Sequence, residues 1–201
     1  MSQSQTLSVK EEPQKIDETK IMNFLGKVVG DLGATMGSAL TFMGINLGLY
    51  KTLVKDGPMS SKELAEKTGT TERYVREWLI NQAAGGYIEY DSAAHKYYLL
   101  TEQAVALTDE SSPFFIGGGF QLVNSLLKAA PRISEAFKNG KGMLWGEHHH
   151  GLFEGTEKFF KATYIANLIQ NWIPALDGVK EKLEKGINVA DIGCGHGAST
   201  I

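Results

Sequence analysis

Cysteine is nearly absent. The chain of 201 residues has one, Cys194, so no disulfide can close within it, and a reducing compartment, the cytoplasm, is expected. Neither sign of charge is in excess. Twenty Lys and Arg stand against 23 Asp and Glu, a formal net charge of −3, which gives no whole-chain attraction to nucleic acid or anionic lipid. Met1 to Lys20 has no apolar core for a signal peptide and reads as a polar, disordered lead-in. Long hydrophobic runs are missing with one exception. Leu32 to Tyr50 is 19 residues without a charge, close to a bilayer-spanning length. Gly33, Gly37, Gly44 and Gly48, with Thr35, Ser38, Thr41 and Asn46, dilute it. The expected form is a buried, glycine-notched helix that a partner helix approaches closely, not a membrane span.

What is present is mostly helical periodicity. Ile16 to Val29 carries an apolar stripe, and the uncharged helix after it is expected to reach about Lys55. Asp56-Gly57-Pro58 is a turn. Ser60 and Glu63 have capping-box spacing and open a short helix that Gly69 closes. Thr70 or Thr71 starts the next, with Tyr74, Val75, Trp78 and Leu79 on one face and Gly85-Gly86 at its end. Tyr87–Tyr90 and Lys96–Leu100 read as a β-hairpin. Helix, turn, helix, hairpin is the winged-helix order.

Winged helices often bind DNA, which needs a basic face. Residues 48–108 carry five Lys and two Arg against two Asp and six Glu. The second helix of the pair sets Glu72 and Glu77 beside Arg73 and Arg76, so a packing and dimerisation module is favoured over a DNA reader.

Beyond Thr108, Ser111-Ser112-Pro113 and Gly117-Gly118-Gly119 suggest a linker. An apolar helix over Phe120–Ala130 and a second one opening at Pro131 are expected next. A glycine-rich loop over 140–155 follows, then a long helix from Thr156 with Phe159, Phe160, Tyr164 and Trp172 on its apolar side. Pro174 breaks or kinks that helix, and an amphipathic helix runs to Gly186.

Two places could carry chemistry. Val189–Ile192 reads as a buried strand running into Asp191-x-Gly193-x-Gly195-x-Gly197, with residues beyond it that could open a helix. Strand, glycine turn and helix start together hold adenosine-type cofactors at the edge of a parallel sheet. Glycine allows positive φ and puts no Cβ between backbone and ligand, and Asp191 can accept from turn amides or a ligand ammonium. The bland alternative is an ordinary tight strand–helix turn. The second place is Glu147-His148-His149-His150. Adjacent side chains diverge, so no metal site is expected. A solvated loop and a pocket lining, with His148 or Glu147 as polar contact or general base, both stay open.

Taken together, Leu47-Gly-Leu-Tyr50, Ser61-Lys-Glu-Leu-Ala-Glu-Lys-Thr-Gly69, Tyr74-Val-Arg-Glu-Trp78, Ala83-Ala-Gly-Gly-Tyr87, Leu152-Phe-Glu-Gly155 and Val189-Ala-Asp-Ile-Gly-Cys-Gly-His-Gly-Ala-Ser-Thr200 resemble the class I S-adenosylmethionine-dependent methyltransferases that have an N-terminal winged-helix domain. These act on small molecules and are sometimes labelled transcriptional regulators. The resemblance implies S-adenosyl-L-methionine as cofactor, with Asp191, Gly193, Gly195 and Gly197 around its methionine part and Cys194 and His196 touching it through their backbone. It places the Glu147-His148 loop near the active-site mouth, with catalytic roles for His148 and Glu147. It also implies a homodimer through the N-terminal helices and winged helix.

The expected fold class is mainly α with a winged-helix domain, then helices and the first strand of a Rossmann-like α/β methyltransferase domain cut short after its glycine turn. The expected divisions are a lead-in (1–20), N-terminal helices and winged helix (21–110), a helical lid region (111–186) and the start of the cofactor domain (187–201). A lone strand has no ladder partners, so poor cofactor binding by this chain alone is expected. The rivals are a winged-helix transcription regulator and a non-catalytic dimerisation partner.

Overall fold

A computed structural model describes residues 16–200; the lead-in expected over 1–20 lies mostly outside the described residues. Eight α-helices and one β-hairpin are seen among them: α1 (Glu18–Asn46), α2 (Leu49–Asp56), α3 (Ser61–Thr68), α4 (Glu72–Ala84), β1 (Glu89–Asp91), β2 (Lys96–Tyr98), α5 (Thr101–Thr108), α6 (Gly117–Asn139), α7 (His150–Asn167) and α8 (Val179–Lys185). Contacts divide the chain into two compact units between Thr35 and Met36.

In the first unit, Met22, Phe24, Leu25, Val29 and Leu32 are exposed. α1, at 29 residues, is long and apolar enough by length and composition to cross a membrane.

The second unit opens on the winged helix. The uncharged stretch does not run on to Lys55: Gly48, at φ 70°, ends α1 and starts α2. A left-handed residue there stops one helix and re-aims the next at little cost, because glycine has no Cβ to clash. The Ser60–Glu63 capping box forms as expected, and Gly69 closes α3 at φ 64°. α3 and α4 are separated by Gly69–Thr71, the helix-turn-helix pair. β1 and β2 pair antiparallel with Tyr90 opposite Tyr97, and Met59 adds an isolated bridge to Tyr97.

The core here is Leu49, Leu53, Leu64, Val75, Leu79 and Ile88, with Trp78 and Tyr50 in edge-to-face contact at 4.9 Å between ring centroids. Tyr74, expected on the buried face of α4, is 77% exposed; its neighbours Val75, Trp78 and Leu79 already fill that face. Gln82 is fully buried and satisfied. Its Oε1 accepts from the Tyr50 hydroxyl and from Thr41 Oγ1, and its Nε2 donates to Asn81. Trp78 Nε1 donates to the Leu40 carbonyl at 2.9 Å. These bonds tie the last turns of α1 to α2 and α4, and burial pushes the Tyr50 hydroxyl's pKa up.

Three later expectations are corrected. Gly117–Gly119 is not a linker but the first turn of α6. A Cβ on Gly118 would fall 2.6 Å from the Phe159 amide nitrogen and 2.8 Å from the Gly155 carbonyl, so these glycines let α6 and α7 touch backbone to backbone. Pro131 does not start a helix; α6 runs through it, giving up one amide donor on a largely exposed helix. α7 begins at His150 rather than Thr156, with His149 capping the Gly151 amide, which shortens the glycine-rich loop.

Before Pro174 the chain widens into a π turn over Leu168–Trp172, where the Ile173 amide reaches the Leu168 carbonyl at 3.0 Å. Since proline has no amide to donate, the helical ladder ends there. Residues 187–191 run without ladder partners, and Ile192 is 96% exposed. The expected buried strand is absent because no neighbouring strand among the described residues receives its amides and carbonyls.

Candidate functional site

α7 presents Phe153, Glu157, Phe160 and Tyr164 at spacings of four, three and four residues, which places them on one helical face. Trp145 extends the wall, its ring 5.2 Å from that of Phe153. Facing them is the glycine turn, and between lies a cleft of about 520 Å³. Gly193, Gly195 and Gly197 take φ of 78°, 57° and 82°, the left-handed region that glycine enters freely. No atom lies within 4 Å of where a Cβ on Gly193 or Gly195 would stand, so the backbone there is open to a ligand.

The turn is tied in two ways. Asp191 Oδ2 accepts from the Ser199 and Thr200 hydroxyls at 2.6 and 2.7 Å, and these bonds hold its pKa below the usual carboxylate range. His196 Nδ1 sits 2.6 Å from Glu157 Oε2, joining the turn to α7. The side chain of Cys194 is exposed at the cleft edge. The arrangement offers aromatic faces, one carboxylate and open turn backbone, features suited to a flat, partly cationic molecule.

Residues 36–109 match the family model described as the Rv2258c-like winged HTH domain. Three solved structures are similar to the chain. "PigF with SAH" is 17% identical, with a TM-score of 0.56, and the match covers 82% of this chain and 50% of that one. The mitomycin 7-O-methyltransferase MmcR is 20% identical at TM-score 0.51, covering 74% and 44%. The S-adenosylmethionine-dependent methyltransferase SibL, in its apo form, is 18% identical at TM-score 0.52, covering 73% and 48%. The likeness is one of fold. This chain spans about half the length of those structures. No curated protein matches it in sequence. The expected architecture holds: a mainly α chain with a winged-helix domain, followed by helices that lead into the start of a Rossmann-like part.

The two expected site clusters do not converge. Asp191, Gly193, Cys194, Gly195 and Gly197 belong to one turn beside the cleft. Glu147 turns elsewhere: its Oε2 accepts from the Leu144 amide and its Oε1 from Arg132, each at 2.8 Å. Those donors, the Leu144 amide first, lower its pKa. A general base needs a pKa near the working pH; both Glu147 oxygens already accept one bond each, which anchors the loop. His148 lies beside Trp145, the rings tilted with centroids 5.6 Å apart, and does not itself line the cleft. Glu157 was missed in the sequence. The signal for it was a carboxylate interrupting an aromatic stripe at helical spacing.

Proposed function

We propose that this chain is the front part of an S-adenosyl-L-methionine-dependent methyltransferase acting on a small molecule. The supporting observation is the open glycine turn, with three positive φ values, facing an aromatic wall. Asp191, Gly193, Cys194, Gly195 and Gly197 would hold the methionine end of the cofactor, chiefly by backbone. The donor set fits the group: Asp191 is ionised and suits an ammonium, while Phe160 and Tyr164 offer π faces to a positive centre. When bound, the cofactor supplies an already activated methyl group. The chain's own part is to position the reactants, which can supply much of the rate of a direct displacement. His148 and Glu147 stay candidates for a polar contact or general base toward the substrate. The divisions at 21–110, 111–186 and 187–201 are part of this reading, as is a homodimer formed through α1 and the winged helix.

Calorimetry with S-adenosylhomocysteine tests it. The 201-residue chain is expected to give no saturable heat, since 187–191 has no sheet to belong to. A chimera continuing residue 200 into the sheet of a solved relative is expected to bind, and its Asp191→Asn variant to lose about tenfold or more. A folded chimera that ignored this ligand, or preferred a nicotinamide nucleotide, would overturn the reading.

A further inference from the structure

α7 borders a second concavity on a different face from the aromatic cleft. It is a pocket of about 330 Å³ among the end of α1, α6 and the start of α7, bounded by Phe42, Asn46, Ser125, Lys128, His149 and His150. Nothing in the proposed methyl transfer uses it.

Two independent features there ask for an acceptor. The first is Ser125. It is only 4% exposed and lines this pocket, yet its hydroxyl has no hydrogen bond to any described residue. The Ser38 hydroxyl is also unpaired but sealed off; that of Ser125 opens on the pocket beside Gly151. A hydroxyl that opens on the pocket can donate to whatever enters it.

The second is a mismatch at His149. Its Nδ1 takes the Gly151 amide at 3.1 Å, while its Nε2 stands 3.3 Å from Lys128 Nζ. A neutral imidazole has one acceptor nitrogen and one donor. With Nδ1 accepting, Nε2 carries the proton, so two donors face each other. Lys128 Nζ has no carboxylate partner among the described residues to draw it away. An oxygen seated between Nε2 and Nζ would satisfy both.

The surroundings narrow the ligand. Ser125 and Lys128 are three residues apart on α6 and share a face. The 18-residue α7 points its positive end here, and Phe42 supplies an apolar wall. Glu154 also borders the pocket, its Oε2 held by Gln121 Nε2 at 2.7 Å. That negative charge disfavours a dianion more than a monoanion. We propose that this pocket binds the carboxylate of a small organic acid, one oxygen between Lys128 and His149 and the other reaching the Ser125 hydroxyl, with the acid's body against Phe42.

The 201-residue chain itself provides the test, with benzoate as probe and the imidazole signals of its five histidines as readout in NMR titration. Saturable shifts of the His149 and His150 signals are expected, leaving His196 in place. Lys128→Met is expected to weaken binding about tenfold, and Ser125→Ala by a smaller factor. Unchanged His95 and His196 signals in each variant would show that the fold is kept. Inorganic phosphate is expected to bind several-fold more weakly than benzoate. The proposal fails if no signal saturates below about 50 mM benzoate, or if Lys128→Met binds as well as the parent. It fails equally if the shifts centre on His196, or if phosphate binds as tightly as benzoate. None of these outcomes depends on S-adenosyl-L-methionine, so this pocket and the proposed methyl transfer stand or fall apart.

Discussion

His196 Nδ1 lies 2.6 Å from Glu157 Oε2, and this contact seats the glycine turn on the middle of α7. Both side chains are partly exposed, so the bond is modest in strength, but the segment it restrains has no sheet ladder. Releasing it should therefore change turn mobility more than global stability. The only cysteine, Cys194, is two residues from His196 and reports this directly. Glu157→Gln is expected to raise the rate at which a thiol reagent modifies Cys194 several-fold, with the melting temperature nearly unchanged. An unaltered labelling rate would show that the turn is held by other means.

Glycine serves two opposite purposes in the helices. At Gly118 and Gly155 an added Cβ would meet backbone atoms at 2.6 and 2.9 Å, and backbone cannot step aside as a flexible side chain can. Gly118→Ala or Gly155→Ala should cost about 1–3 kcal/mol of stability, a fall in melting temperature of roughly 2–10 °C for a chain of this size. Gly26 and Gly30 have nothing within 4 Å of the same added atom. Alanine there should be neutral or stabilise by up to about 1 kcal/mol through helix propensity. Thermal melts of the four variants check both halves of the contrast.

That contrast also marks how far the sequence could be read. The Ser60–Glu63 cap, the Gly69 stop and the hairpin were legible because short-range hydrogen bonding and φ preferences decide them. The glycine turn was legible for the same reason. The run Gly117–Gly119 was misread as a linker because the reason for Gly118 and Gly119 is 37 to 41 residues away, where Gly155 and Phe159 pack against them. Pro131 was misread as a helix start because its local preference for a first turn does not forbid a helix from running through it, at the loss of one amide donor. Val189–Ile192 has a strand's composition, but a strand is made by its neighbours, and the described residues supply none. In the site, the Gly193–Gly197 turn was readable while the Glu157–His196 contact was not, since it joins residues that only the fold brings together.

Part of the acid sensitivity should lie in the winged helix. The amide and hydroxyl of Ser60 hold the Glu63 carboxyl below its usual range, as Lys67 does for Asp56. A folded-state pKa lowered in this way adds stability that is complete above the unfolded value and lost as pH falls through the folded one. Unfolding midpoints should therefore drop on the acid side of the ordinary carboxylate range. A Ser60→Ala, Glu63→Gln variant should be less stable at neutral pH and show a shallower acid limb. Denaturant titrations at several pH values would detect both, and an acid limb as steep as the parent's would contradict the assignment.

The second helix of the helix-turn-helix pair has little charge to give DNA. Arg73 lies 3.3 Å from Glu77 and Arg76 lies 3.6 Å from Glu72, so its two guanidiniums already have anionic partners. DNA affinity comes largely from releasing counterions as cations meet phosphates. Gel shifts at low salt are expected to show weak, sequence-independent binding or none, and Glu72→Gln with Glu77→Gln should strengthen it. Tight, strongly salt-sensitive binding by the unaltered chain would favour a regulatory role over methyl transfer.

α1 is the remaining test of assembly. Met22, Phe24, Leu25, Val29 and Leu32 are exposed on it, together more apolar surface than a solitary soluble helix usually shows to water. Each such side chain is worth about 1.5–3 kcal/mol when fully buried, so covering several can drive association after the entropic cost of pairing. Ultracentrifugation should give a dimer. Phe24→Glu with Val29→Glu should shift it to monomer at micromolar concentration, since buried unpaired carboxylates oppose the contact. The same helix is long and apolar enough to enter a bilayer, and carbonate extraction separates the two fates. Chain released into the supernatant, dimeric, and monomerised by the two glutamates would fit helix-to-helix pairing; chain retained in the membrane pellet would assign α1 to lipid instead.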